Sequence, residues 1–126
     1  MNRHLSDDEA KREHLQAFGP RLGPVYHALE NELIWLHAKW LEFKKLFATT
    51  AENIILLNDT APLFFRVVQD TMWRDVLLHL ARLTDPPRNG RHENLTLCRL
   101  PEAIEDNALA SEIQQLLRET RKKARF

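Results

Sequence analysis

LGPVYHALENELIWLHAKWLEFKKLF, residues 22–47, decides the fold class. Within it Leu22, Tyr26, Leu29, Leu33, Leu36, Trp40, Phe43 and Phe47 follow one another at alternating steps of four and three. A helix advances about 100° per residue, so those steps keep all eight side chains on one stripe. Ile34, Ala38 and Leu41 widen that stripe, which predicts contact with more than one neighbouring element. The pattern ends at Ala48-Thr49-Thr50, too soon for an extended coiled coil.

Working outward, every other long periodic segment also reads as helix. Upstream, Ser6-Asp7-Asp8-Glu9 spells a capping box with acids in the first turn, where they offset the unpaired amides. The helix it opens is poor in apolar residues and stops at Gly19-Pro20, so residues 1–19 are expected to form a short peripheral element. Downstream, Thr49-Thr50-Ala51-Glu52 offers a second box ahead of Ile54, Ile55, Leu56 and Leu57. Pro62 then fits the first turn of a helix running to about Leu83. That helix is apolar on most sides (Phe64, Phe65, Val67, Val68, Met72, Trp73, Val76, Leu77, Leu78, Leu80), which predicts burial on several faces at the centre of a bundle. Asp85-Pro86-Pro87-Arg88-Asn89-Gly90-Arg91 is a loop with an Asn-Gly turn pair. Asn94 is placed to cap a short helix ended by Pro101, and Asn107 to cap a last one through Leu109, Ile113, Leu116 and Leu117. Residues 20–126 therefore read as one all-α domain, an antiparallel up-and-down bundle of about four to six helices. No stop signal closes the last helix, so the domain is expected to be cut short at its C-terminus.

Composition bounds the function. The 126 residues include 18 Lys and Arg against 18 Asp and Glu, so no overall basic charge argues for nucleic acid. A single cysteine, Cys98, excludes an internal disulfide and any multi-cysteine metal site. No apolar run approaches the roughly 18 residues that span a bilayer, and residues 1–14 lack the apolar stretch of a signal peptide. A cytoplasmic protein without membrane contact is the expectation. No glutamate has histidine three residues later, and the six histidines show no metal-binding helical pair, so no metal is expected. Three dispersed glycines cannot build a phosphate-cradling loop, and no cofactor is expected.

Three features could still carry function. Arg118, Arg121, Lys122, Lys123 and Arg125 stand against only Glu119, a C-terminal cluster suited either to the helix dipole or to RNA phosphates. Arg74 and His79 form an Arg-x4-His spacing, a pairing that could grip a scissile phosphate and move a proton. On a regular helix, however, the two side chains point about 140° apart. His79 falls on the stripe of Phe65, Val68, Met72, Val76 and Leu83, whereas Arg74 falls near Asp70. A core histidine and an ion pair are the reading this angle favours. Trp35, with Asn31, Lys39 and Glu42 as its helical neighbours, stands on a polar face and is a candidate subunit-interface anchor.

The wording of several segments resembles a known family. Leu22-Gly23-Pro24-Val25-Tyr26-His27-Ala28-Leu29, Glu32-Leu33-Ile34-Trp35-Leu36-His37, Phe65-Arg66-Val67-Val68-Gln69-Asp70, Trp73 through Asp85, and Glu93-Asn94-Leu95-Thr96-Leu97 carry the likeness. They are similar to the abortive-infection, AbiU-like branch of the HEPN (higher eukaryotes and prokaryotes nucleotide-binding) superfamily, over roughly residues 20–117. The resemblance implies a helical bundle that forms a homodimer and acts in phage defence or a toxin–antitoxin system, with RNA and a cognate toxin or antitoxin as partners. It also implies metal-independent RNA cleavage where an Arg-x4–6-His motif opens the last helix. Residues 107–126 contain no such motif, so this chain is expected to be inactive itself, or to be a non-catalytic dimeric helical interaction module, antitoxin-like or nucleotide-sensing.

Overall fold

A computed structural model describes residues 6–123. Five α-helices dominate those residues: α1 (Asp7–Phe47), α2 (Ala51–Thr60), α3 (Pro62–Thr84), α4 (Leu100–Ala103) and α5 (Asn107–Lys123). A 3-10 turn (Leu97–Arg99) precedes α4, and a two-residue antiparallel hairpin, β1 (Arg88–Asn89) with β2 (His92–Glu93), fills the expected loop. The protein is all-α, as its periodicity implied. The chain forms two compact units. One takes in the described residues up to Asn31 and from Arg82 onward; the other is Glu32–Ala81.

In the first unit the capping box forms as spelled. The Ser6 amide donates to Glu9 Oε2 at 2.9 Å, and the Glu9 amide donates to Ser6 Oγ at 3.3 Å. The Ser6 amide, and after it the Ser6 hydroxyl, which donates to the same oxygen at 3.1 Å, favour the ionised carboxylate and hold Glu9 below its ordinary value. Within α1 the backbone breaks at Gly19 (φ 79°, ψ 179°), a conformation that glycine adopts without steric cost. The chain reverses there, and residues 7–18 fold back along residues 20–31. Phe18 meets Tyr26 at 4.6 Å between ring centres, and Asp7 reaches Asn31. The crossing is so close that a Cβ on Gly23 would lie 2.8 Å from the Leu15 Cα. The N-terminal segment is thus a packed arm of the unit rather than a peripheral helix.

The rest of that unit is built on caps. The Thr96 side chain accepts from the Cys98 amide at 3.1 Å and is completely buried, opening the 3-10 turn. The cap expected at Asn94 is therefore displaced by two residues. Asn94 instead donates its side-chain amide to the Pro86 carbonyl at 3.0 Å and its backbone amide to that of Pro87 at 2.9 Å, fastening the loop. At α5 the cap is Asp106, which accepts from the Ala108 and Leu109 amides, and Asn107 is the first helical residue.

The second unit pairs the end of α1 with α3 in antiparallel sense. Glu32 meets His79, Lys39 meets Asp75, and Trp40 and Phe43 meet Trp73. The Lys39–Asp75 pair, 2.6 Å apart and part-exposed, adds about 0–1 kcal/mol. Thr50 caps α2 by accepting from the Asn53 amide, so the second box closes one residue later than spelled. One expectation fails: α3 is not buried on several faces. Val76 and His79 are covered, but Leu63, Phe64, Val67, Trp73, Leu78 and Leu80 are exposed. Its apolar sides outnumber the faces that the described residues supply to cover them.

Candidate nucleic-acid interface

Two adjoining cavities in the first unit gather arginines from segments far apart in sequence. The smaller, about 200 Å³, is lined by Arg21, Arg88 and Arg99 with Glu93 and Glu102. The larger, about 340 Å³, is lined by Arg118, Arg121, Gln114 and Leu117 with Cys98 and Pro101. Pro87 and Glu102 belong to both walls, so the two cavities are neighbours.

Each arginine is positioned by local structure. Arg21 lies two residues after the Gly19 break, and its Nη2 donates to the Glu102 carbonyl at 2.8 Å. Arg88 pairs with Glu93 across the hairpin, where Gly90 (φ 61°) makes the turn. Arg99 Nη2 lies 3.6 Å from Glu93 Oε2, at the end of the turn that Thr96 caps. Gln114, Leu117, Arg118 and Arg121 stand at i, i+3, i+4 and i+7 on α5, so one face of that helix forms a wall. Five arginines and two glutamates thus line two neighbouring cavities, a recess with two compartments. Guanidinium groups stay charged and present planar forks that match phosphate oxygens, so this recess attracts anions in a chain of zero net charge.

The C-terminal cluster divides on this geometry. Arg118 and Arg121 line the recess, Lys122 and Lys123 are exposed and do not, and Arg125 lies outside the described residues. Arg21, Arg88 and Arg99 were missed in the sequence because each is isolated there.

The Arg-x4-His pair is not brought together. His79 is buried in the second unit, with Nε2 2.7 Å from Glu32 Oε2, though not aligned as a hydrogen bond. Its Nδ1 lies 3.4 Å from the Lys39 ammonium, which has only protons to offer. Arg74 is exposed, and the ion pair expected with Asp70 is made by Arg66 instead, at 3.6 Å. Arg21 and His27 share the same motif as Arg-x5-His, a signal the sequence reading passed over. His27 is buried, its Nδ1 against His14 and its Nε2 against Asp7. Neither histidine therefore presents a free ring nitrogen to a substrate. Trp35 stands 66 % exposed on the second unit. Among the described residues no group of three or more potential metal ligands gathers, and no helix is long and apolar enough to cross a membrane.

An all-helical chain with a recessed arginine site is the class that the fold and the site define. The family described as AbiU2, of the HEPN type, matches residues 20–126, and the chain belongs to that family. Its name places the protein among abortive-infection HEPN domains. No curated protein and no solved structure matches the chain.

Proposed function

We propose that this chain is the RNA-holding domain of a phage-defence or toxin–antitoxin protein, and that it grips RNA by its phosphates without cutting it. The observation that carries the reading is the gathering of Arg21, Arg88, Arg99, Arg118 and Arg121 on two neighbouring cavities that share Pro87 and Glu102. Support for binding without cleavage comes from His27 and His79, which are both buried within the protein, away from any substrate. Phosphate contacts release counterions, with log affinity falling by about 0.7 per contact for each decade of salt on single strands. Five contacts predict a slope near −3.5 on that rule, and Arg99→Ala with Arg121→Ala lowers it by about 1.4. Fluorescence anisotropy with a labelled single-stranded RNA across a salt series reads both numbers, and a sizing gel of the same RNA shows whether it stays intact. Cut RNA overturns the non-cleaving part; absence of binding overturns the whole.

A second reading rests on the other unit. Leu63 is 76 % and Phe64 62 % exposed, and Leu56, Val67, Leu78 and, on α1, Trp35 are exposed as well. An apolar surface of that extent on a soluble chain marks an interface. A second copy of this chain is the partner we infer, because homodimer interfaces are richer in apolar surface than other interfaces and this helix carries more of it than the described residues cover. Light scattering on the wild type is expected to give a dimer, and Leu63→Glu with Phe64→Glu a monomer. A wild-type monomer at tens of micromolar (about the range in which stable interfaces form) defeats this reading.

A further inference from the structure

The two arginine-bearing cavities differ in what covers the rest of their walls. In the smaller, Arg21, Arg88 and Arg99 stand with Glu93 and Glu102, so most of the lining is charged. The larger has only Arg118 and Arg121 as cations, and Pro86, Pro87, Pro101, Leu117 and Cys98 make up most of the remainder. A site for phosphate alone has no use for that surface, because phosphate oxygens seek N–H and O–H donors. Proline has no backbone N–H, and its ring offers only apolar contact. The carbonyls of Pro86 and Pro87 are already bonded, to the Asn94 side-chain amide at 3.0 Å and the Asn94 backbone amide at 2.9 Å. The two rings therefore form an apolar wall that is fixed before any ligand arrives.

The wall contributed by α5 is graded along its length. Gln114 and Arg121 lie seven residues apart on one face, which at about 1.5 Å per residue separates them by roughly 10 Å along the axis, with Leu117 and Arg118 between. One end of this wall thus carries guanidinium groups, and the other an amide that both donates and accepts. Glu102 lines the same cavity, and a carboxylate only accepts, which suits an amino or hydroxyl group rather than a phosphate. At about 340 Å³ the cavity falls within the size of small-molecule sites, roughly 300–1,000 Å³, whereas the smaller one at about 200 Å³ does not. Cations, a flat apolar wall and a two-way amide match the phosphate, the faces and the edge of one nucleotide.

We infer that the larger cavity takes the unstacked base of one nucleotide of a bound single-stranded RNA, its faces against the proline rings and Leu117, its edge on Gln114 and its phosphate on Arg118 and Arg121. This rests on the reading of the arginines as phosphate holders and adds a contact that sees the base. Single strands are open to such a contact because an unpaired base exposes both its faces and its hydrogen-bonding edge, which a duplex hides. The smaller cavity, across Pro87 and Glu102, receives a neighbouring phosphate of the same strand.

Two labelled single-stranded RNAs of equal length separate this contact from the phosphate grip: one of mixed sequence, the other keeping the sugar–phosphate chain but lacking every base. Bases are uncharged, so fluorescence anisotropy is expected to give both strands the same salt slope. At every salt concentration the base-bearing strand is expected to bind about fivefold or more tightly, the lower end of what one stacked base contributes. Gln114→Ala, at an exposed position, is expected to weaken that strand about two- to tenfold, as loss of one hydrogen bond does, and to leave the abasic strand unchanged. Arg88→Ala, in the smaller cavity, is expected to weaken both strands equally. Cys98 is the single cysteine and lines the larger cavity, so its alkylation by iodoacetamide reports occupancy. It is expected to react more slowly under saturating base-bearing strand than under the abasic one. Equal affinity of the two strands, equal shielding of Cys98, or a Gln114→Ala loss shared by both strands overturns the base contact and leaves the phosphate reading standing. Failure of both strands to bind overturns the two together.

Discussion

Replacing Gly23 by alanine tests the hairpin of α1 at its tightest point. The added Cβ would lie 2.8 Å from the Leu15 Cα and 2.9 Å from the His14 carbonyl oxygen, where ordinary contact begins at 3.4 Å. Both neighbours are backbone, so no rotamer change relieves the clash, and the arm must retreat by about 0.6 Å. Forcing a methyl group into a packed contact costs about 1–3 kcal/mol. Alanine recovers about 0.5–1 kcal/mol of helix propensity over glycine, leaving a net loss on the order of 1 kcal/mol. A retreat of that size also stretches the His14–His27 contact from 3.1 Å beyond hydrogen-bonding range. The loss falls on docking of the arm, because the atoms nearest the added methyl all belong to the backbone of His14 and Leu15. Hydrogen exchange is the assay: amides of residues 8–18 should exchange roughly five to ten times faster, with those of α5 unchanged. Unchanged or slower exchange in the arm refutes the close crossing at Gly23.

His79→Leu is expected to shift urea-measured stability by less than about 1 kcal/mol and to leave RNA binding intact, since a similar volume replaces the ring while its polar neighbours Glu32 and Lys39 are part-exposed and stay solvated. Glu32→Ala strands the buried ring without its carboxylate and is expected to cost about 1–3 kcal/mol; equal losses in the two variants would refute a structural role for His79. The Ser6 cap holds the Glu9 carboxyl below its ordinary value, so its contribution is present above the ordinary glutamate pKa and disappears as pH falls through the lowered one. Ser6→Ala removes the hydroxyl donor but keeps the backbone amide, the larger cause, so the Glu9 titration, followed by carboxyl carbon shifts, should move only part of the way towards the ordinary value; no movement would show that the hydroxyl does not contribute.

Much of the architecture was legible because hydrophobic periodicity reports one face of one helix at a time. Val76, His79 and Leu83, buried here, lie on the stripe drawn through Phe65 and Val68, and Gly19-Pro20 was a true break. What the arm does after that break was not legible. Its docking rests on Gly23 and on the polar contacts of His14, His27, Asp7 and Glu30, none of which adds to an apolar pattern. Caps were misplaced by a residue or two at Asn94 and Asn107 for a related reason. Neighbouring Thr96 and Asp106 are equally good caps by type, and only the backbone geometry chooses between them. The apolar excess of α3 was legible as a demand for burial, but not where that demand is met. Periodicity measures how much surface a helix needs covered and is silent on whether the cover belongs to the same chain.

The recess shows why a zero net charge excludes less than it first suggests. Net charge governs the field far from a molecule, whereas a ligand at the surface responds to charges within about 10 Å, the screening length at moderate salt. Sequence clustering approximates that distance only along a helix, which is why residues 118–123 drew attention and Arg21, Arg88 and Arg99 did not. A proline-rigid loop, the Thr96 cap and the Arg21 bond to the Glu102 carbonyl bring those three to one cavity wall. Glu93 and Glu102 stay with them and moderate the repulsion that like charges would otherwise suffer when no anion is bound. A site balanced in this way can be preformed, so that an arriving phosphate exchanges partners with the glutamates instead of having to assemble the arginines itself.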